Sequence, residues 1–290
     1  MQLAAELRLD FEATTVEPTA NAFELNPVRV GLWDRYGGSE SSGWTRFLLE
    51  NFEFYFELVY PPLLDRGNLA SRFDVLIFAD DGIPSSDPTN GSLDVARDIP
   101  DQYRSQLGNI TLTRTVPRLR EFLEAGGTIL TIGSSTVLAR HLGLPVSDAL
   151  LERLPDGEEQ TLPQERFFIP GSILQVQVND DHPLAFGVGS EVDVVFNSSP
   201  AFRLDPEAVA NRIEPVAWFG ENPLRSGWAW GENYLADTVA VIDATVGAGK
   251  LFLFGPEIAF RAQPHGTFKF LFNGIYYGQA EEVTLGNTEN

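Results

Sequence analysis

GAGKLFLFGPEIAFRAQPHGTFKFLFN, residues 247–273, places a strand, a tight turn, a polar loop and a helix in direct succession. Lys250 to Phe254 is an apolar run of the kind carried by a buried strand. Phe268, Leu271, Phe272 and Ile275 follow at i, i+3, i+4 and i+7, which predicts one face of a core helix. Upstream, Val239 to Ala244 joins the strand as a hairpin through Val246-Gly247-Ala248-Gly249. Thr128 to Ile132 and Arg72 to Asp80 are further apolar runs, as expected of parallel strands covered on both faces. Between them, Val116, Leu119, Phe122 and Leu123 mark a helix closed by Gly126-Gly127. Val28, Val30 and Leu32 make a first strand and Phe56 to Tyr60 a second. The helix between them is expected to turn Trp44, Phe47, Leu48 and Phe52 to one face. Strand, helix, strand with short connections predicts an α/β fold with a doubly wound, mainly parallel sheet.

The rest of the chain is organised around that pattern. Residues 1–27 read as a lead-in or linker, 28–278 as the α/β domain, and 279–290 as an acidic, frayed tail. Residues 81–112 read as a long polar loop. From about 145 to 237 the apolar runs shorten and alternate, which predicts a β-rich insertion. Its expected strands are Ile173–Val178, Val192–Phe196, Val216–Phe219 and Trp228–Trp230.

Composition removes several functions. The chain has 290 residues, Lys plus Arg 20 against Asp plus Glu 41, and a net charge of −21. Such a charge repels phosphate backbones and anionic membranes, so no nucleic acid is expected as partner. No cysteine is present, which excludes disulfides, thiol catalysis and zinc–cysteine sites. No apolar run reaches the roughly 18 residues of a membrane span. The first residues carry neither the basic nor the apolar region of a signal peptide.

Five stretches carry a family resemblance: VRVGLWDRYGGSESSGWTRFLLENFEF, ASRFDVLIFAD, FLEAGGTILTIGSST, GSILQVQVNDDHPLAFGV and FGPEIAFRAQPHGTFKFLFN. In kind and order they resemble the class I glutamine amidotransferase-like, flavodoxin-like fold. More narrowly, they resemble the C-terminal amidotransferase-like domain of bacterial secreted zinc carboxypeptidase-like proteins. The resemblance implies a secreted or cell-envelope location and a preceding peptidase domain as partner, with self-association or an extracellular polymer as alternatives. Zinc would belong to that preceding domain, since none of the 3 histidines stands in a His-x-x-Glu pair. No cofactor is expected in this chain, and its acidic clusters leave room for calcium.

The resemblance also implies where the amidotransferase triad would stand. Its His-Pro-Glu reads Gly255-Pro256-Glu257 here, and its nucleophile elbow reads Gly133-Ser134-Ser135-Thr136-Val137, which puts the cysteine position at Ser135. A catalyst stripped of its known chemistry is the leading expectation, an accessory or interaction domain. Two alternatives stay open. A serine hydrolase would use Ser134 or Ser135, with His265 as base and Glu257 to orient it, although serines at that turn equally cap the next helix. A carbohydrate- or polymer-binding module would use Trp228 and Trp230, whose alternation puts both rings on one side of a strand. Arg261 either braces the loop against Glu257 or binds a carboxylate. Asp180, Asp181 and His182 offer oxygen and imidazole ligands to a divalent cation, or form a capped turn before Pro183. Asp80, Asp81, Asp87, Asn90 and Asp94 match no defined calcium loop. Asn197-Ser-Ser fits a glycosylation acceptor.

Overall fold

The computed structural model describes residues 21–87, 99–154 and 159–285, together with Thr15. The elements in chain order are β1 (Asn21–Glu24), β2 (Val30–Trp33), α1 (Glu40–Asn51), β3 (Phe56–Val59), α2 (Pro61–Leu64), β4 (Val75–Phe78), α3 (Thr115–Glu124), β5 (Thr128–Ile132) and α4 (Leu138–His141). The β-rich part follows with β6 (Val146–Asp148), β7 (Leu151–Arg153), β8 (Glu159–Thr161), β9 (Ser172–Val178), β10 (Glu191–Phe196), β11 (Phe202–Leu204) and β12 (Ile213–Ser226). The chain returns through β13 (Val239–Val246), β14 (Gly249–Phe254), α5 (Phe268–Tyr277) and β15 (Glu281–Thr284).

The main sheet runs β10-β9-β12-β13-β14-β5-β4-β2-β3. Its parallel half is β14, β5, β4, β2 and β3. Numbered by chain order among themselves, these strands stand 2-1-3-4-5, the flavodoxin-like doubly wound order. The other half is antiparallel, with β13 against β14 and then β12, β9 and β10.

Two apolar layers hold the sheet from both sides. Val75 and Ile77 of β4 face Leu48 and Leu49 of α1 and Phe270, Leu271 and Ile275 of α5. Leu76 and Phe78 face the opposite layer, with Leu119, Phe122 and Leu123 of α3 and Leu138 of α4. This alternation explains the unbroken apolar runs, because each strand needs an oily side chain on both faces. A buried leucine or phenylalanine contributes about 2 kcal/mol from area alone, so the layers dominate the stability.

Several expectations need correction. The buried face of α1 is Ser42, Thr45, Leu48 and Leu49, whereas Phe47 and Phe52 are 46% and 51% exposed. Ser42 turns inward because its hydroxyl donates to the Trp33 carbonyl at 2.6 Å. Phe52 instead packs beside Phe268 and Phe272 at the helix end. Trp228–Trp230 is no strand and makes one isolated bridge, Phe168 to Trp230. The lead-in and the tail also contain structure: Asn21–Glu24 pairs antiparallel with Glu281–Thr284. Phe23 packs on Phe186 and Tyr277, which anchors that ribbon to α5. Asn90 and Asp94 lie outside the described residues. No helix among the described residues is long and apolar enough to cross a membrane.

Candidate functional site

The carboxyl ends of β2, β4, β5 and β14 open on one side into a cleft of about 790 Å³. In doubly wound sheets ligands bind in this place, where the strand order reverses. Here the reversal lies between β2 and β4. After β2, Asp34 Oδ1 accepts from the amides of Arg35 and Ser39 at 2.8 and 2.9 Å and bends the chain into α1. Ser39 then caps the helix by accepting from Ser42 N. The bend brings Arg35, Glu40 and half-buried Trp44 to the cleft. Asp80 and Asp81 arrive at the end of β4, Glu257 after β14, and Asn197 from the loop after β10.

The turn after β5 is fully engaged. Ser134 donates both its amide and its hydroxyl to Asp80 Oδ1, at 2.7 and 2.6 Å, and its Oγ accepts from Asp81 N at 2.9 Å. Ser135 is fully buried. Its hydroxyl donates to the Ala79 carbonyl at 2.5 Å and accepts from the Gly82 and Ile83 amides at 2.8 and 3.1 Å. Both serines tie the β4 and β5 loops together. The residue held in the left-handed region is Gly133, φ +59°. A nucleophile elbow strains its nucleophile at just such a strand-to-helix turn. A Cβ on Gly133 would stand 2.4 Å from Asp80 Oδ1. At the other triad position, a Cβ on Gly255 would stand 2.3 Å from the Pro200 carbonyl oxygen, brought there by the loop that precedes β11.

Glu257 is the perturbed acid of the site. Its amide donates to the Val195 carbonyl at 3.1 Å. Burial, then the negative charges of Asp80, Asp81 and Glu40, push its carboxyl from 4.5 up to about 7, against a hydrogen bond from Asn197. Near neutrality it is partly protonated, able to give or take a proton or to donate a hydrogen bond. Arg261, expected to brace Glu257, lays its guanidinium over the Phe260 ring at 5.1 Å and lines the same cleft. Arg261 and Ala262 both have positive φ, +50° and +52°, a strained pair of non-glycine residues on the cleft wall.

Other sequence candidates fall elsewhere. His265 is exposed, stacks on Phe268 with ring centroids 5.0 Å apart, and lines a separate depression with Gln175, Glu191, Asp193 and Arg225. Among the described residues its ring makes no hydrogen bond to either serine, so the proposed Ser–His–Glu set is not assembled. The Phe268 ring holds the imidazole, and the Pro264 turn starts α5 there. Asp180 and Asp181 are exposed, whereas His182 is buried. His182 Nδ1 accepts from Leu184 N at 3.2 Å, and Nε2 stands 3.4 Å from Asp243 Oδ2. Asp243 also pairs with Lys250 at 2.9 Å. The three residues do not converge on one point, and no metal-holding group of three such side chains is present among the described residues. Trp228 and Trp230 are 55% and 52% exposed. Trp228 rests edge-on against Phe168, and Trp230 Nε1 donates to the Glu165 carbonyl. The neighbouring Ser226 and Gly227 reach the cleft edge.

Arg35 and Trp44 escaped the sequence reading as site residues, and Asn197 registered only as a glycosylation acceptor. The available signal was positional: each follows a strand or opens a helix at the carboxyl edge of the sheet.

Neither a family model nor a curated protein matches the chain. Solved structures similar to it include PurLQS of Thermotoga maritima, with 13% identity, 85% of this chain and 96% of that one covered, and a TM-score of 0.49. A cytoplasmic protein of Salmonella typhimurium gives 12%, 86%, 97% and 0.46 on the same measures. A glutamine amidotransferase of Thermotoga maritima gives 12%, 85%, 83% and 0.43. At such identities and scores these likenesses carry no argument about activity. By its own strand order, the chain has a flavodoxin-like, doubly wound α/β fold.

Proposed function

We propose that this chain is a non-catalytic accessory domain of a secreted zinc carboxypeptidase-like protein, using the cleft for recognition. The observation that carries the reading is steric. At the position that the amidotransferase resemblance assigns to the nucleophile, the Ser135 hydroxyl is held by three backbone groups, and at the base position a Cβ on Gly255 would collide with the Pro200 carbonyl. Backbone fills the base position and hydrogen bonds occupy the serine, which supports a cleft that binds without turning over. A serine hydrolase is the weaker reading, because Ser135 uses its hydroxyl in three backbone contacts.

The test is direct. The purified chain, incubated with glutamine and with p-nitrophenyl esters, should release no ammonia or nitrophenol above a Ser134→Ala, Ser135→Ala double variant. Turnover that the double variant loses would end the non-catalytic reading. The secreted-peptidase setting has its own check. The full-length protein should carry a His-x-x-Glu zinc motif before this domain and bind zinc, with this domain co-purifying with the peptidase part. A full-length protein without that motif removes the setting and leaves the recognition role to stand on the cleft.

A further inference from the structure

The cleft also says what it would recognise, granted the recognition reading above. Anionic ligands fit poorly. The amide that would receive a phosphate at the turn after β5, Ser134 N, is already taken by Asp80 Oδ1 at 2.7 Å. Glu40, Asp80 and Asp81 add negative charge around the same space. Yet the wall is not uniformly acidic. Arg35, Arg261 and Asn197 put donors on the same lining as those acceptors, with Arg35 Nε also reaching the Gly38 carbonyl at 3.3 Å. Trp44 adds an aromatic ring inside the cleft, with its Nε1 turned to Glu40 Oε1 at 3.4 Å. A ligand that suits this wall presents groups that donate and accept at once, carries no negative charge, and has an apolar flank for a ring.

We infer that the cleft at the carboxyl ends of β2, β4 and β14 is a binding site for a neutral oligosaccharide, with Trp44 as stacking platform and Asp80, Asp81, Asn197 and Arg35 as hydroxyl partners. Each sugar hydroxyl donates to a carboxylate and accepts from a guanidinium or amide. The C–H face of a pyranose covers the indole, as aromatic residues in ligand sites are used. The volume of about 790 Å³ holds a few sugar rings. This differs from an exposed Trp228–Trp230 platform. Those rings lie beyond the cleft edge and leave the carboxylates unused.

Calorimetric titration of the whole chain with cellotetraose, maltotetraose and tetra-N-acetylchitotetraose tests the inference. At least one should bind with a Kd below about 1 mM. Trp44→Ala and Asp81→Asn should each weaken it by about tenfold, with Trp230→Ala unchanged. Asp81→Asn carries the test if Trp44→Ala fails to fold, since Asp81 is exposed and asparagine tolerates its positive φ of 63°. Three outcomes overturn the site: none of the three sugars binds at about 10 mM, binding ignores both cleft variants, or spermidine binds there and sugars do not. Cleavage of the bound sugar would support the ligand class while ending the non-catalytic reading, so the two failures are distinguishable.

Discussion

Glu257→Gln should make the protein more stable at alkaline pH and change little in acid. Burial and three neighbouring carboxylates raise the Glu257 carboxyl from 4.5 to about 7, so ionising it costs the folded state more than the unfolded chain. The folded state holds the proton more tightly, and its stabilising contribution is full below 4.5 and lost as the pH climbs through about 7. The difference in proton affinity corresponds to about 3 kcal/mol at about 1.4 kcal/mol for each tenfold. Water in the open cleft reduces this to about 2 kcal/mol. Glutamine keeps the shape and a polar contact for Asn197 but has no charge to bury. Thermal unfolding followed by circular dichroism should therefore show the variant melting about 5 °C above the parent at roughly pH 8.5, and alongside it at roughly pH 4. An equal melting temperature at both values, or a variant less stable in alkali, would refute the electrostatic account of the cleft.

Further outcomes follow from the same geometry. Ser135→Ala should lower unfolding free energy by about 1–3 kcal/mol in urea titration, because the Ile83 amide loses its partner while the Gly82 amide and Ala79 carbonyl keep only their mutual bond; a neutral result would return that hydroxyl to the list of free nucleophiles. Gly255→His should give no glutaminase activity and should destabilise by about 3 kcal/mol or more, since its Cβ meets the Pro200 carbonyl; a soluble variant of parental stability would show that the space is open. Ala262→Gly should stabilise by about 1 kcal/mol by relieving a left-handed alanine, φ +52°, and a loss of stability would mean that the backbone there is unstrained.

The parallel core was legible because β4, β5 and β14 bury both faces, and even the buried Thr131 of β5 is paired to the Phe252 carbonyl and leaves the apolar run readable. The α3 helix was legible for the opposite reason, since its apolar positions recur at helical spacing and Leu119, Phe122 and Leu123 are all buried. The face of α1 was not. Ser42 and Thr45 point inward to reach carbonyls of Trp33 and Ser41, and hydropathy has no term for a buried hydroxyl with a partner. The ribbon of β1 and β15 joins polar segments from opposite ends of the chain, a pairing no local pattern carries. The site was half visible. Glu257 and Arg261 were marked, but the sequence paired them with each other. The raised proton affinity of Glu257 comes from its burial and from Asp80, Asp81 and Glu40, which only the closing of the sheet brings near. Gly255 looked like a simple loss of a histidine, and only the folded backbone shows that the Pro200 carbonyl occupies the vacated room.

The terminal ribbon has a mechanical consequence. Asn21 sits opposite Thr284, so chain leaving either side departs from the same spot, and tension applied through both would peel the two strands apart one rung at a time instead of shearing them. The ribbon leans on Tyr277 at the end of α5, and the residue after that helix, Gly278, abuts Thr128 where β5 begins. That is the edge of the sheet remote from the cleft. A pull on this tether would be spent in the ribbon first, and the cleft at the far end of the sheet would keep its shape while the leash came undone.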